Sequence, residues 1–245
     1  MLGINVTGHI MRLRRAIGWP AYHELDLPFD VIEAIVKSTG AEPWFLSSIQ
    51  QHWQRGEANS AMDWIVANVS RTDRIFEVGC GCGANLAWLA QHGYVNLNGS
   101  DRSTTAIDAA KQLSMLVGLA GFEAEVAEGL VPKARRIDAL LAINCLYYAP
   151  LDLKKYLVAC RDHLAPGGHV ILDMVDSSFN DMPNNEYFIP DWHKPVSMRA
   201  PSNYVVRMSA EELKRKAAAA GFILVKKLPG TKVPPRYVAV LRMMP

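Results

Sequence analysis

From Arg74 onward, short apolar runs alternate with amphipathic stretches. Arg74–Val78, Val95–Asp101 and Glu123–Ala127 have the length and residue bias of strands, and Ile137–Asn144 is a nearly continuous apolar run. Such a run suits a strand covered on both faces. Between them, Gly83–Gln91 and Thr104–Val117 carry apolar positions at helical spacing, and Leu151–Leu164 places Leu153, Tyr156, Leu157, Cys160 and Leu164 on one helical face. Pro166-Gly167-Gly168 reads as a turn before a further buried strand, His169–Val175. Strands and helices in alternation predict a parallel sheet with helices on both faces.

The chain changes character at both ends. Before residue 71 the pattern is helical and interrupted. Asp30 is placed to cap a helix over Val31–Lys37 that ends at Gly40, and Asn59 or Ser60 to cap a second that carries Met62, Ile65, Val66 and Val69. Trp19, Tyr22, Trp44 and Trp53 lie among these elements, so residues 1–70 read as a mostly helical cover over a substrate site. After the fifth strand, residues 176–208 show no period and are rich in Pro and Asn; a stretch of that length in a compact domain is usually functional or disordered. Ser209-Ala210-Glu211-Glu212 is a capping box for a helix that closes at Gly221. Phe222–Leu228 and Arg236–Met243, joined through Pro229-Gly230 and Pro234-Pro235, have no helix between them and should pair antiparallel.

Composition narrows the function. The 245 residues are 50% hydrophobic, enough for a substantial core and too apolar for a disordered chain. A formal net charge of +2 disfavours a uniformly basic, nucleic-acid-binding surface. No apolar run approaches the ~18–20 residues of a membrane span. Arg12, Arg14 and Arg15 follow the mildly apolar N-terminal stretch where a secretory signal would have them precede it, and four cysteines are ordinary usage, so a cytoplasmic protein is expected.

The chemistry concentrates in Ile75-Phe76-Glu77-Val78-Gly79-Cys80-Gly81-Cys82-Gly83, which leaves a strand and opens a helix. Glycines here let the backbone turn tightly and approach a ligand. The spacing is G-x-G-x-G, whereas a dinucleotide fingerprint places its third glycine one residue later. Asp101 ends the following strand, where a carboxylate can accept hydrogen bonds from ribose hydroxyls. With these residues, and with Ala127-Glu128-Gly129-Leu130, Asn144-Cys145-Leu146-Tyr147-Tyr148, Leu164-Ala165-Pro166-Gly167-Gly168 and the final hairpin, residues 71–245 resemble the class I S-adenosylmethionine-dependent methyltransferase family.

The resemblance implies an α/β fold: a Rossmann-like seven-stranded sheet, helices on both faces, and a reversed C-terminal strand. It implies S-adenosyl-L-methionine as cofactor and assigns roles by position. Glu77 would hold the glycine turn and reach the methionine amine through water or backbone. Gly79, Cys80 and Gly81 would meet the methionine portion with backbone atoms. Asp101 would bind the ribose with Arg102 beside the adenine; Glu128, where the family usually has Asp, and Gly129 would meet the adenine edge. Asn144 would offer its backbone carbonyl to the cofactor amine. Tyr147 and Tyr148 stand where the family often places residues near the methyl acceptor, with Tyr148 the better placed to line the site. His193, beside Tyr187, Asp191 and Trp192 in the 176–208 segment, is a candidate base.

Other chemistries fit less well. Cys80 and Cys82 are spaced C-x-C without a second pair, and Asp173, Asp176 and Asp181 lack the Asp-Asn pair of catechol-type enzymes, so no metal is expected. The prolines of base-amino methyltransferases are missing after Asn144. The expectation is methyl transfer to an N or O atom of a small molecule. Methylation of RNA or protein, or a cofactor-binding homologue without activity, are the alternatives. No oligomeric state follows from the sequence.

Overall fold

The computed structural model describes residues 25–42, 56–119, 121–134, 136–178, 204–232 and 235–245. Seven strands form one sheet in the order β3-β2-β1-β4-β5-β7-β6. They are β1 (Arg74–Val78), β2 (Asn96–Asp101), β3 (Glu123–Val126), β4 (Ile137–Ala142), β5 (Leu164–Val175), β6 (Phe222–Lys232) and β7 (Pro235–Met243). The first five pair in parallel, and β7 runs antiparallel to both β5 and β6. This is the expected Rossmann-like methyltransferase sheet with its reversed last strand.

The described helices are α1 (Phe29–Thr39), α2 (Gly56–Asn68), α3 (Ala84–Gln91), α4 (Thr104–Leu116), α5 (Leu153–Arg161) and α6 (Ala210–Ala218). Alternation along the strands divides the core into two layers. Ile75, Leu97, Ala139, Leu141, Ile171 and Val240 meet Ile32, Met62, Ile65, Leu86, Ile107 and Leu113 from α1–α4. Phe76, Val78, Leu140, Leu172 and Leu241 meet Leu153, Leu157 and Leu213 from α5 and α6. The helices of residues 25–70 therefore share the core of the sheet domain: α1 packs on α4, and α2 on β6 and β7.

Several local expectations are corrected. Pro28, not Asp30, is the N-cap of α1; Asp30 lies in its first turn, where a carboxylate still favours the positive end of the helix dipole. Helix α2 starts at Gly56, ahead of Asn59 and Ser60, and the Ser60 hydroxyl donates to the Pro229 carbonyl at 2.6 Å, tying the helix to β6. The fifth strand begins at Leu164: Leu164 pairs with Ile137 and His169 with Ala139, so Pro166-Gly167-Gly168 is an outpouching within β5. Pro229-Gly230 likewise lies inside β6, with Pro229 opposite Tyr237. Turn residues mark a local break in both places, but pairing resumes on the far side.

Candidate active site

The glycine turn is set by strain and close approach. Gly79, Gly81 and Gly83 all have left-handed φ values, of 67°, 53° and 73°. A Cβ on Gly79 would lie 2.7 Å from Cβ of Cys145, so a side chain there collides with the segment leaving β4. Gly83 caps α3 and would bring a Cβ to 3.1 Å from that of Ala110 on α4. The Cys80 N–H donates to the Ser100 carbonyl at 3.0 Å and the Gly83 N–H to the Cys80 carbonyl at 2.9 Å. Beneath the turn, Glu77 is 1% exposed and accepts a hydrogen bond from the Asn85 side-chain amide at 2.5 Å.

Asp101 faces the turn from the end of β2. Its Oδ2 accepts the Gly81 N–H and its Oδ1 the Ser103 N–H, each at 2.9 Å. A carboxylate has about four lone-pair positions, so each oxygen retains capacity for a further donor. The Asp101 carbonyl accepts from the Ala127 N–H at 2.9 Å, which draws the end of β3 alongside. Arg102, Glu128 and Gly129 are exposed on this rim. Burial, followed by the Asp101 charge, pushes the Cys82 thiol up to about 12. The thiols of Cys80 and Cys145 are also raised, by burial first and then by Glu77 and Asp173 respectively, so all three are neutral near pH 7.

The third part follows β4. Asn144 has a left-handed φ of 59°, unusual for a residue with a side chain. Its N–H donates to Asp173 Oδ1 at 2.8 Å, and its side-chain oxygen accepts from the Tyr147 hydroxyl at 2.9 Å and from the Arg236 guanidinium at 2.6 Å. Arg236 also donates to the Tyr147 hydroxyl and lies 3.6 Å from Asp173 Oδ2. Tyr147 is buried, whereas Tyr148 is 43% exposed. Their rings are 4.7 Å apart, and Tyr204 stands 5.3 Å from Tyr147 and 5.8 Å from Tyr148. Burial pushes the Tyr148 phenol up to about 12 and raises Tyr147 as well, so both are neutral at ordinary pH.

The structure thus brings Glu77, Gly79, Cys80, Gly81, Asp101, Asn144, Tyr147 and Tyr148 to the carboxyl end of the parallel strands. His193 lies outside the described residues. Two residues that sequence reasoning passed over also belong here. Arg236 sits opposite Val175 in the β5–β7 pairing, and Tyr204 joins the aromatic group. The reversed last strand was the available signal, because reversal carries its first residues to the same edge where the parallel strands end.

These features suit S-adenosylmethionine. The turn is bare where a Cβ would fill it, Asp101 offers acceptors for a diol, and a buried carboxylate lies behind the backbone amides. The methyltransferase domain family matches residues 46–227, most of the chain. The chain belongs to that family. It carries a methyltransferase domain, and the features of the site fit S-adenosyl-L-methionine as cofactor.

Among solved structures, the methyltransferase fold is shared with a magnesium protoporphyrin IX methyltransferase from Synechocystis PCC 6803 determined with bound S-adenosylhomocysteine. It is 17% identical at a TM-score of 0.60, and the match covers 88% of this chain and all of that one. A methyltransferase from Clostridium acetobutylicum is 15% identical at a TM-score of 0.57, over 78% of this chain and 92% of its own. In sequence, EEF1A lysine methyltransferase 2 of Danio rerio is 28% identical over 119 residues, 44% of this chain. The match spans about half of that relative's length, 51%. Among the described residues of this methyltransferase, no helix is long and apolar enough to cross a membrane.

Proposed function

We propose that this methyltransferase alkylates an N or O atom of a small-molecule acceptor held beside Tyr148 at the end of β4, with nitrogen favoured. The observation that carries this reading is the aromatic group of Tyr147, Tyr148 and Tyr204, whose two site phenols stay protonated. A hydroxyl acceptor profits from a base during attack, while an amine can release its proton to water beforehand. Of the groups around the aromatic cluster, the Tyr147 and Tyr148 phenols are neutral and Asp173 is fully buried, accepting the Asn144 N–H, while Glu77 and Asp101 are given to the cofactor in this reading. A nitrogen that gains positive charge as it is alkylated is stabilised by aromatic faces.

Bound S-adenosylmethionine supplies an activated methyl group on a good leaving group. The chain's own residues orient it and exclude water. In this reading the backbone of Gly79, Cys80 and Gly81 meets the methionine portion, and Glu77 holds the turn and reaches the methionine amine through water or backbone. Asp101 takes the ribose hydroxyls, and Arg102, Glu128 and Gly129 border the adenine. Asn144 would turn its backbone carbonyl toward the amine from its left-handed conformation. Alignment of acceptor and methyl group is the principal contribution, about 7–11 kcal/mol of barrier. The parts of 1–70 outside α1 and α2, together with 176–208, would serve as acceptor cover, and His193 in the second would act as base if the acceptor is a hydroxyl. The four cysteines are all unpaired, which supports a reducing, cytoplasmic setting.

A second reading, transfer to a lysine of a protein, draws on the Danio rerio relative and keeps the same acceptor element. The two are separated by incubating the protein with methyl-labelled S-adenosylmethionine and fractionated cell extract. Label in the small-molecule pool supports the proposal. Label in a protein band transfers it to the second reading, and label in neither marks a homologue that binds without catalysis.

A further inference from the structure

The turn after β4 is held by a residue from the far end of the chain. Arg236 is the second residue of β7, 92 residues after Asn144 in sequence. Because β7 is reversed, its first residues lie beside the last residues of β5, with Arg236 opposite Val175 and Val238 opposite Asp173. The guanidinium reaches three groups at once: the Asn144 side-chain oxygen, the Tyr147 hydroxyl and the Asp173 carboxylate. Asp173 in turn grips the Asn144 backbone N–H at 2.8 Å. Asn144 is therefore fixed on both its backbone and its side chain, at a left-handed φ of 59° that asparagine tolerates better than other residues with a side chain and that these contacts hold. Both ions are deep: Asp173 is 0% and Arg236 11% exposed. A buried pair of this kind is weak as a source of stability, but it can fix one local conformation.

We propose that Arg236, clamped on Asp173, is a positioning residue that sets the left-handed turn at Asn144 and thereby the methionine-amine end of the cofactor site. This rests on the reading of S-adenosylmethionine bound with its amine toward Asn144. Arg236 does not touch the adenosine half in this arrangement. Its effect is accordingly confined to one end of the ligand, which a purely structural role would not achieve.

The test compares two ligands that differ at that end: S-adenosylhomocysteine, which carries the amino-acid group, and 5′-methylthioadenosine, which lacks it. Binding is measured by titration calorimetry on the full chain. Arg236→Met leaves the Asp173 carboxylate buried without its cation and is at risk of unfolding, so Asp173→Asn/Arg236→Met is made alongside it. The double variant is neutral and keeps an acceptor for the Asn144 N–H. Arg236→Lys retains charge but loses the planar fork. In the folded double variant S-adenosylhomocysteine should weaken about tenfold or more, the scale of one lost hydrogen bond to a charged group, with methylthioadenosine within about twofold of wild type. Arg236→Lys should fall between, for S-adenosylhomocysteine alone. Unchanged S-adenosylhomocysteine binding, or equal loss of both ligands, overturns the proposal while leaving the cofactor reading intact. A wild-type protein that binds neither ligand overturns both.

Discussion

The carboxylate of Asp101 clasps the glycine turn from the neighbouring strand, its Oδ2 accepting the Gly81 N–H at 2.9 Å across 20 residues of sequence. One side chain thus shapes the loop and presents the ribose acceptors. Asp101→Asn replaces an acceptor oxygen with an NH₂ group that must face either the Gly81 or the Ser103 N–H. S-adenosylhomocysteine affinity should fall roughly tenfold to a hundredfold, as expected for about 1.5–3 kcal/mol of charge-assisted hydrogen bonding. Calorimetric titration reads this directly. Binding within about threefold of wild type would take Asp101 out of the ribose site.

Gly79→Ala tests the close approach of the turn to the β4 exit. The substitution combines a φ of +67° with a Cβ placed 2.7 Å from that of Cys145. Gly118 is the internal control, since its φ is +72° but a Cβ there meets nothing within 4 Å. Gly118→Ala should cost about 1–2 kcal/mol, the strain of a left-handed residue alone. Gly79→Ala should cost a further ~1–3 kcal/mol for overpacking. Urea unfolding of the two variants measures the difference, and equal losses would show that Cys145 yields without penalty.

How much of this was legible in the sequence depended on the range of the interaction. The Ser209 cap reads locally, and its hydroxyl does accept the Glu212 N–H, at 3.2 Å. The parallel strands are legible because apolar runs and intervening helical periods are properties of short windows. The β5 outpouching is not, because Pro166-Gly167-Gly168 signals a break in direction whether or not pairing resumes at His169. Ser60 looks like a cap by residue type, but its hydroxyl goes to Pro229, 169 residues away. Tyr147 and Tyr148 are adjacent and chemically alike, and only packing makes one fully buried and the other 43% exposed. The Arg236–Asn144 contact depends on strand reversal, which a motif search in the β4 region does not inspect.

The buried thiol beside Asp101 should make the fold sensitive to alkali. The Cys82 pKa rises from an ordinary 9.0 to about 12 in the folded state, through burial first and Asp101 second. Between these values the unfolded chain has released a proton that the native state still holds. The stability contribution is therefore complete below pH 9.0 and is lost as pH climbs to about 12. Melting temperature should decline across that interval in wild type, and Cys82→Ala should decline less steeply. Parallel slopes for the two proteins would show that Cys82 is not the group responsible.

Tyr148 offers a test of what the aromatic group does for the acceptor. If its ring face steadies positive charge growing on nitrogen, Tyr148→Phe retains the ring and should keep the methyl-transfer rate within about threefold, whereas Tyr148→Ala should lose about tenfold, near the middle of the range for a cation–π contact. The phenol, pushed up to about 12, holds its proton at neutral pH and contributes no base there. The rate profile of the Phe variant between about pH 6 and 9.5 should therefore superimpose on wild type in shape. The measurement uses the acceptor fraction identified by labelled transfer, with S-adenosylmethionine saturating. A Phe variant that loses activity as severely as the Ala variant would show that the hydroxyl acts on the acceptor, through a hydrogen bond or a proton, and would move the favoured acceptor atom from nitrogen to oxygen.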